Sequence, residues 1–367
     1  MMKRSIWIGL IITLVFLFSG CYDRYPQERL GIIVGLGHDL ESDGVMVRYR
    51  DTSETFVFRG QQQIDHEVVT GPGKSIYSTQ DELQSKSSRK WIIGSELVYL
   101  IGKERAEYGI KDIIDAMMRD ADRRRGASVA VCKQASEQLL RLEPKAYSTM
   151  AEDVHGTLEF AWEESFFSKD ARISDVLEMY HQEAREIILP YLGIEENRVK
   201  VTGLALFDAD RMITSVDLGE AKLINLLRNN GTKGHLSVNL PEKNTYYEGY
   251  FTSNRKVKVS KEEENLKYSI SVTLKGNLKV NTVINKTITK KEVKEIQKDF
   301  EKVLKKDLER EIKKVQQSYG VDWLDLSKYA VAKYGRLSGY GSNENFKNAQ
   351  IDVDVKVKIG SIGGKTE

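Results

Sequence analysis

Proline, cysteine and surplus charge are all scarce in this sequence. Five prolines in 367 residues exclude a collagen-like or Pro-rich low-complexity chain. Two cysteines, Cys21 and Cys132, cannot form a disulfide framework, so hydrophobic cores must hold the fold together. Neither sign of charge dominates, with 56 basic side chains against 54 acidic ones and a formal net charge of +2. That leaves no basic field for the capture of nucleic acid. Long apolar runs are missing too, apart from one at the N-terminus, which excludes a multi-span membrane protein. What remains is a globular composition, 40% hydrophobic and 30% charged, in a chain long enough for two or three domains.

Signatures of chemistry are equally sparse. Gly35 and Gly37 begin a G-x-G-x-x-G pattern, but Leu40 occupies its third glycine position, where close helix packing needs the missing side chain. Gly73-Lys74-Ser75 resembles the end of a phosphate loop, yet Val68 stands at the leading glycine position and no apolar strand runs into it. His38, His66, His155, His181 and His235 contain no i,i+4 pair, and neither H-E-x-x-H nor C-x-x-C occurs, so local spacing offers no metal site. There is no G-x-S-x-G elbow, and Cys132 sits inside an apolar stretch as a small core residue would. No catalytic residue, cofactor or metal ligand is expected. Carboxylates from distant segments could still converge in a wall hydrolase, a class that sequence spacing does not address.

The N-terminus is where the sequence is most explicit. Lys3 and Arg4 precede thirteen uncharged residues, 6–18 (IWIGLIITLVFLF). As a helix these would extend about 20 Å, short of the roughly 30 Å hydrocarbon core, which suits the hydrophobic region of a signal peptide. Phe18-Ser19-Gly20-Cys21 then resembles the bacterial lipobox, with Phe18, Ser19 and Gly20 read by the lipoprotein signal peptidase and the Cys21 thiol carrying diacylglycerol. An ordinary secretory signal cut near Gly20 and an uncleaved anchor helix are the alternative readings. Cleavage after residue 20 would remove Lys3 and Arg4 and no acid, leaving 54 basic and 54 acidic side chains.

Along the remaining chain the pattern predicts an α+β protein of three mixed α/β domains, each a mainly antiparallel sheet with packed helices. The expected divisions are 1–20 for the signal peptide, 21–194, a small middle domain at 195–262, and 263–367. In the first domain, 30–37 and 45–49 read as strands about a Ser42-Asp43-Gly44 turn, 91–101 as one strand, 110–119 as a helix and 127–132 as a strand. Residues 146–192 read as mostly helical, with Leu158, Phe160, Trp162, Phe166 and Phe167 as a core stripe. In the middle domain, 199–207 pairs with 212–216 ahead of a helix at 219–227. In the last, alternation at Tyr268, Ile270, Val272 and Leu274 predicts a hairpin turning at Lys275-Gly276-Asn277. Thr289 and Glu292 form a capping-box signature for an amphipathic helix over 290–317. That helix holds ten basic and seven acidic residues, a mixed, solvated face. The alternating strand 351–359 is expected to close the sheet.

Five stretches, in order, resemble the Ger(x)C family, the lipoprotein C subunits of spore germinant receptors. They are Cys21-Tyr22-Asp23-Arg24 followed by 28–37 (ERLGIIVGLG); 91–102 continued by 109–114; Arg119-Asp120-Ala121-Asp122-Arg123; Gly203-Leu204-Ala205-Leu206-Phe207 with Leu218-Gly219-Glu220; and 321–334 with 351–359. The resemblance implies a non-catalytic lipoprotein held by a diacylglycerol anchor on the outer face of the spore inner membrane. It also implies assembly with A-type and B-type membrane subunits into a receptor for nutrients, with a part in assembly or signalling. Gly35, Gly37, Arg119, Asp120, Gly203 and Glu220 match family motifs and are candidate site residues without an assigned role. The competing reading is an extracytoplasmic solute-binding lipoprotein of a transporter. It would need two α/β lobes about a cleft, against which the alternating hairpins argue.

Overall fold

A computed structural model describes residues 26–42, 47–59, 63–169, 171–262, 265–281 and 289–362. The lipobox residues Phe18, Ser19, Gly20 and Cys21, like the turn at 43–44, lie outside them.

A nine-stranded sheet occupies the N-terminal part. Its strands are β1 (Leu30–Ser42), β2 (Val47–Arg59), β3 (Gln63–Gly73), β4 (Lys90–Ile92), β5 (Val98–Gly102), β6 (Ser128–Cys132), β7 (Ile188–Glu195), β8 (Arg198–Asp208) and β9 (Arg211–Asp217). Their order is β3-β2-β1-β5-β6-β7-β8-β9, with β4 beside the start of β1. Long antiparallel pairs at both ends flank a short parallel centre. The central strands are apolar and buried on both faces, which requires helices on both sides. Tyr99, Ile101, Val129 and Val131 face α1 (Ile76–Lys86), α2 (Lys103–Tyr108), α3 (Lys111–Arg119) and α6 (Ile173–His181). Val98, Leu100, Ala130 and Cys132 face α4 (Ser136–Leu140), α5 (Met150–Glu164) and α7 (Leu218–Arg228).

The second sheet has the order β10-β11-β12-β13, with β10 (Lys233–Leu240), β11 (Thr245–Glu262), β12 (Asn265–Asn281) and β13 (Gln350–Ile362). It is covered by α8 (Lys290–Lys314), whose Thr289–Glu292 capping box forms as expected. Ile296, Phe300, Leu304, Leu308 and Ile312 recur every fourth residue and are all buried. Phe300 packs edge-on against Phe251 at 5.4 Å between ring centres. Beyond α8, one π-helical turn ends at Gly320, whose φ of +70° a glycine tolerates. Two short helices, α9 (Ser327–Tyr334) and α10 (Asn343–Asn348), lead into β13.

The α+β class with two mainly antiparallel sheets and packed helices holds. Particular segments differ from expectation. The expected boundary at 194/195 falls in the β7–β8 hairpin of one continuous sheet, and 195–262 divides between the two sheets. Residues 188–192 are strand, not helix, because a run buried on both faces lacks the alternation that marks a strand. The stretch 91–101 breaks into β4 and β5 around Gly94, at φ +98°. Lys275-Gly276-Asn277 makes no turn; β12 runs through it and pairs with β11 upstream. At Gly276 a Cβ would collide with the Tyr250 carbonyl, so the glycine permits close approach within the sheet. Strand β13 alternates as read but lies parallel to β12 at the sheet edge. Phe160 points outward, 65% exposed, because α5 turns Leu158, Ala161 and Trp162 to the sheet instead.

Candidate functional site

The most concentrated constellation of charge lies where the two sheets meet. Arg185 follows α6, Arg228 ends α7, Arg255 sits mid-way along β11, Asp325 precedes α9 and Lys328 lies within it. Asp325 adopts φ +58° and is buried in the junction. It lies 3.3 Å from Arg185 Nη2, 3.7 Å from Arg228 Nη2 and 2.5 Å from Lys328 Nζ. Burial alone would raise its pKa, but these three cations outweigh burial and hold it at about 2. Arg228 donates to the carbonyls of Trp323 (3.0 Å) and Glu186 (3.0 Å). Arg255 donates to those of Arg228 (2.9 Å) and Leu324 (2.8 Å), and its guanidinium lies 5.5 Å from the Tyr329 ring centre. Buried guanidiniums therefore tie the end of α7 to the loop before α9. Asp322 in that loop accepts from the amides of Leu326 (2.9 Å) and Ser327 (2.6 Å). Nearby, Trp323 Nε1 donates to the Phe207 carbonyl at 2.6 Å, a direct link to β8. Arg185, Arg228, Arg255, Asp325, Lys328 and Tyr329 line an open pocket of about 230 Å3, bounded on its apolar side by Phe167, Ile188, Pro190 and Leu204.

The residues singled out from sequence do not converge there. Gly35 and Gly37 lie on β1 beneath α4 and α5: a Cβ at Gly35 would stand 3.0 Å from Ala151 Cβ, and one at Gly37 would collide with Ser136 Oγ. These glycines allow helices to lie on the sheet. Gly203 likewise has the Val216 carbonyl where a Cβ would be. Arg119 is exposed at the end of α3. Asp120 accepts from Arg123 Nε at 3.0 Å, and Arg123 Nη1 donates to the Tyr99 hydroxyl at 3.2 Å, so that motif anchors a turn to β5. Glu220, in the first turn of α7, meets Lys314 Nζ of α8 at 2.5 Å. Cys132 is fully buried, and burial raises its pKa well above an ordinary thiol's. Sequence reading missed the junction charges one by one. One signal was present: Arg255 occupies an inward position in the β11 alternation of Phe251, Ser253 and Arg255.

Comparison with known proteins places this architecture. Residues 23–194 match the model of the spore germination protein N-terminal domain. Residues 202–363 match that of the spore germination B3/GerAC-like C-terminal domain. The chain belongs to the Ger(x)C family. The spore germination protein GerQC of Bacillus cereus is 22% identical over 246 residues, 67% of each chain. The crystal structure of the GerBC protein superposes with a TM-score of 0.58 at 15% identity, covering 88% of this chain and 97% of that one. At that identity the likeness concerns the fold. As a Ger(x)C protein, the chain is a non-catalytic germinant-receptor component and not an enzyme. Among the described residues no helix is long and apolar enough to cross a membrane.

Proposed function

We propose that this Ger(x)C protein is the lipid-anchored C subunit of a nutrient germinant receptor on the outer face of the spore inner membrane. Cys21 carries diacylglycerol after cleavage behind Phe18-Ser19-Gly20, and A-type and B-type membrane subunits are its partners. The observation that carries this reading is the sequence itself: a thirteen-residue apolar run ends at a small-small-Cys tripeptide immediately before the family-matched region begins at residue 23. Each buried methylene stabilises membrane association by about 0.8 kcal/mol, so two or more acyl chains hold the protein durably without a spanning helix. The folded part fits a role in assembly or signalling. Its two sheets share one continuous hydrophobic cluster, from Val34 and Val98 to Phe300 and Val357.

Substituting Cys21→Ala in a spore former should move the protein from the membrane fraction to the soluble or secreted fraction and impair nutrient germination. Unchanged recovery in the membrane would refute the anchor. A tagged chain extracted from spore inner membrane should bring A-type and B-type membrane proteins with it, and recovery without them would refute the subunit assignment.

A further inference from the structure

The junction carries more positive charge than its structural contacts use. Arg185, Arg228, Arg255 and Lys328 line the cavity against the single carboxylate of Asp325. Arg228 and Arg255 are committed to backbone carbonyls, as described. Arg185 and Lys328 are not: they share Asp325 with Arg228, and their side chains are 15% and 36% exposed. Glu178 pairs with Arg185 at 2.8 Å, but from outside the cavity wall. Asp322 is engaged by amides of its own loop, and Glu186 accepts from Asn343 Nδ2 (3.0 Å) and the Ala209 amide (3.2 Å). Buried donors without a hydrogen-bond partner are also found on the lining residues: Arg185 Nε, Arg255 Nε and Asn225 Nδ2, three of the thirteen unpartnered side-chain atoms among the described residues. Desolvated charge costs several kcal/mol per ion unless it is matched, so an excess of cations around a hollow is an arrangement that an anion would stabilise.

The geometry points to this cavity as the binding site of a compact carboxylate, held by Arg185 and Lys328. Size sets the first limit. About 230 Å3 holds several waters and suits a carboxylate of a few carbons. Composition sets the second. With its two Nη groups paired to Glu178 and Asp325, Arg185 keeps Nε for a carboxylate oxygen, while Phe167, Ile188 and Leu204 offer an apolar wall that a short carbon chain fills and inorganic phosphate does not. The walls come from both sides of the junction, Arg185 and Ile188 from the first and Arg255, Asp325 and Lys328 from the second. Ligand binding should therefore clamp the two sheets together and raise the unfolding temperature by mass action.

The test uses the full chain in detergent and needs no receptor partner, so it can fail without touching the subunit assignment. Butyrate and glutarate, titrated calorimetrically at constant ionic strength, should bind saturably with roughly millimolar affinity and raise the melting temperature. Lys328→Met and Arg185→Met should each weaken binding about tenfold or more, the loss of one charge-assisted contact. Arg141→Gln, which removes a cation paired with Glu137 on α4 far along the chain, should leave it unchanged. Should Lys328→Met not fold, Lys328→Gln takes its place, with the same loss expected. Absence of saturable binding to the unmodified chain would overturn the proposal. So would affinity unchanged in both Arg185→Met and the Lys328 variant, or an equal response to phosphate and sulfate, which would mark general screening in place of a site.

Discussion

Two regions of this molecule use buried charge to hold backbone groups, and they do so with opposite signs. In the N-terminal sheet the groups that do this are carboxylates carried on strands. Asp39 of β1 accepts from the amides of Ser136 (2.7 Å) and Glu137 (3.0 Å) and from Ser136 Oγ (2.8 Å). Glu54 of β2 accepts from the amides of Met150 (2.8 Å) and Ala151 (2.7 Å). Each takes up free N–H groups at a helix start, so the sheet grips α4 and α5 by their N-terminal ends. At the junction the signs reverse: guanidiniums of Arg228 and Arg255 take up free carbonyls near a helix end and in a loop. The anionic contacts are closed, one carboxylate consumed by one helix terminus. The cationic ones leave charge over and enclose a cavity. Buried charge fixes geometry in both places, but only the second has capacity for something more.

Breaking the junction should cost most. Arg228→Ala removes the donor to two carbonyls and one of three cations around Asp325, which is only 2% exposed. Loss of one partner from a buried charged network costs about 3–5 kcal/mol, and urea unfolding should show it as a lowered midpoint. A slope unchanged from that of the parent would indicate that the native surface buried on folding is the same.

The anionic region should instead reveal itself through pH. Burial raises the Glu54 pKa from 4.5 to about 7, against the opposing effect of the two amides and His66. A carboxyl with a raised native pKa binds more protons folded than unfolded between these values, so its contribution to stability falls as pH rises from 4.5 to 7 and stays low above. The full difference is roughly 3 kcal/mol. Asp39 is raised as well, chiefly by burial, and adds a fall in the same direction. Asp325, held at about 2, is ionised throughout this window and adds nothing. Glu54→Gln should therefore flatten much of the decline seen by urea unfolding across pH 4.5–7. A decline of equal size in that variant would place its source elsewhere.

How much of this was readable beforehand depended on whether a segment answers to its own neighbours or to distant ones. The capping box at Thr289 and Glu292, the apolar stripe of α8 and the alternation of β13 are local patterns, and each formed as read. Residues 188–192 misled because burial on both faces erases the period of a strand, and Gly276 misled because its purpose is set by the Tyr250 carbonyl on another strand. The junction was hidden for the same reason. Arg185, Arg228, Arg255 and Asp325 are spread over 140 residues of chain, and nothing in local spacing marks their convergence. The stretch 321–334, noted for its family resemblance, contains Asp322, Asp325 and Lys328, so resemblance had pointed to the region without giving it a chemistry.

The smallest expected effect concerns Glu220, a motif position in the first turn of α7. Its carboxylate meets Lys314 at the C-terminal end of α8, 94 residues away, and so spans the same two parts as the junction. Both side chains are 35% exposed, where water screens the pair and holding two long side chains still costs entropy. An exchange to Glu220→Gln should accordingly change stability by no more than about 1 kcal/mol. Lys314→Met should do likewise, and the double variant should show little coupling beyond the sum. Buried Glu311 beside the pair has its carboxyl pKa raised, first by burial and then by Glu220. Glu220→Gln should therefore ease Glu311 back toward an ordinary carboxylate, which carboxyl NMR titration can follow. If instead Glu220→Gln destabilised the chain as much as Arg228→Ala, the exposed contact would be carrying the junction, and the contrast between closed anionic contacts and an open cationic one would have to be redrawn.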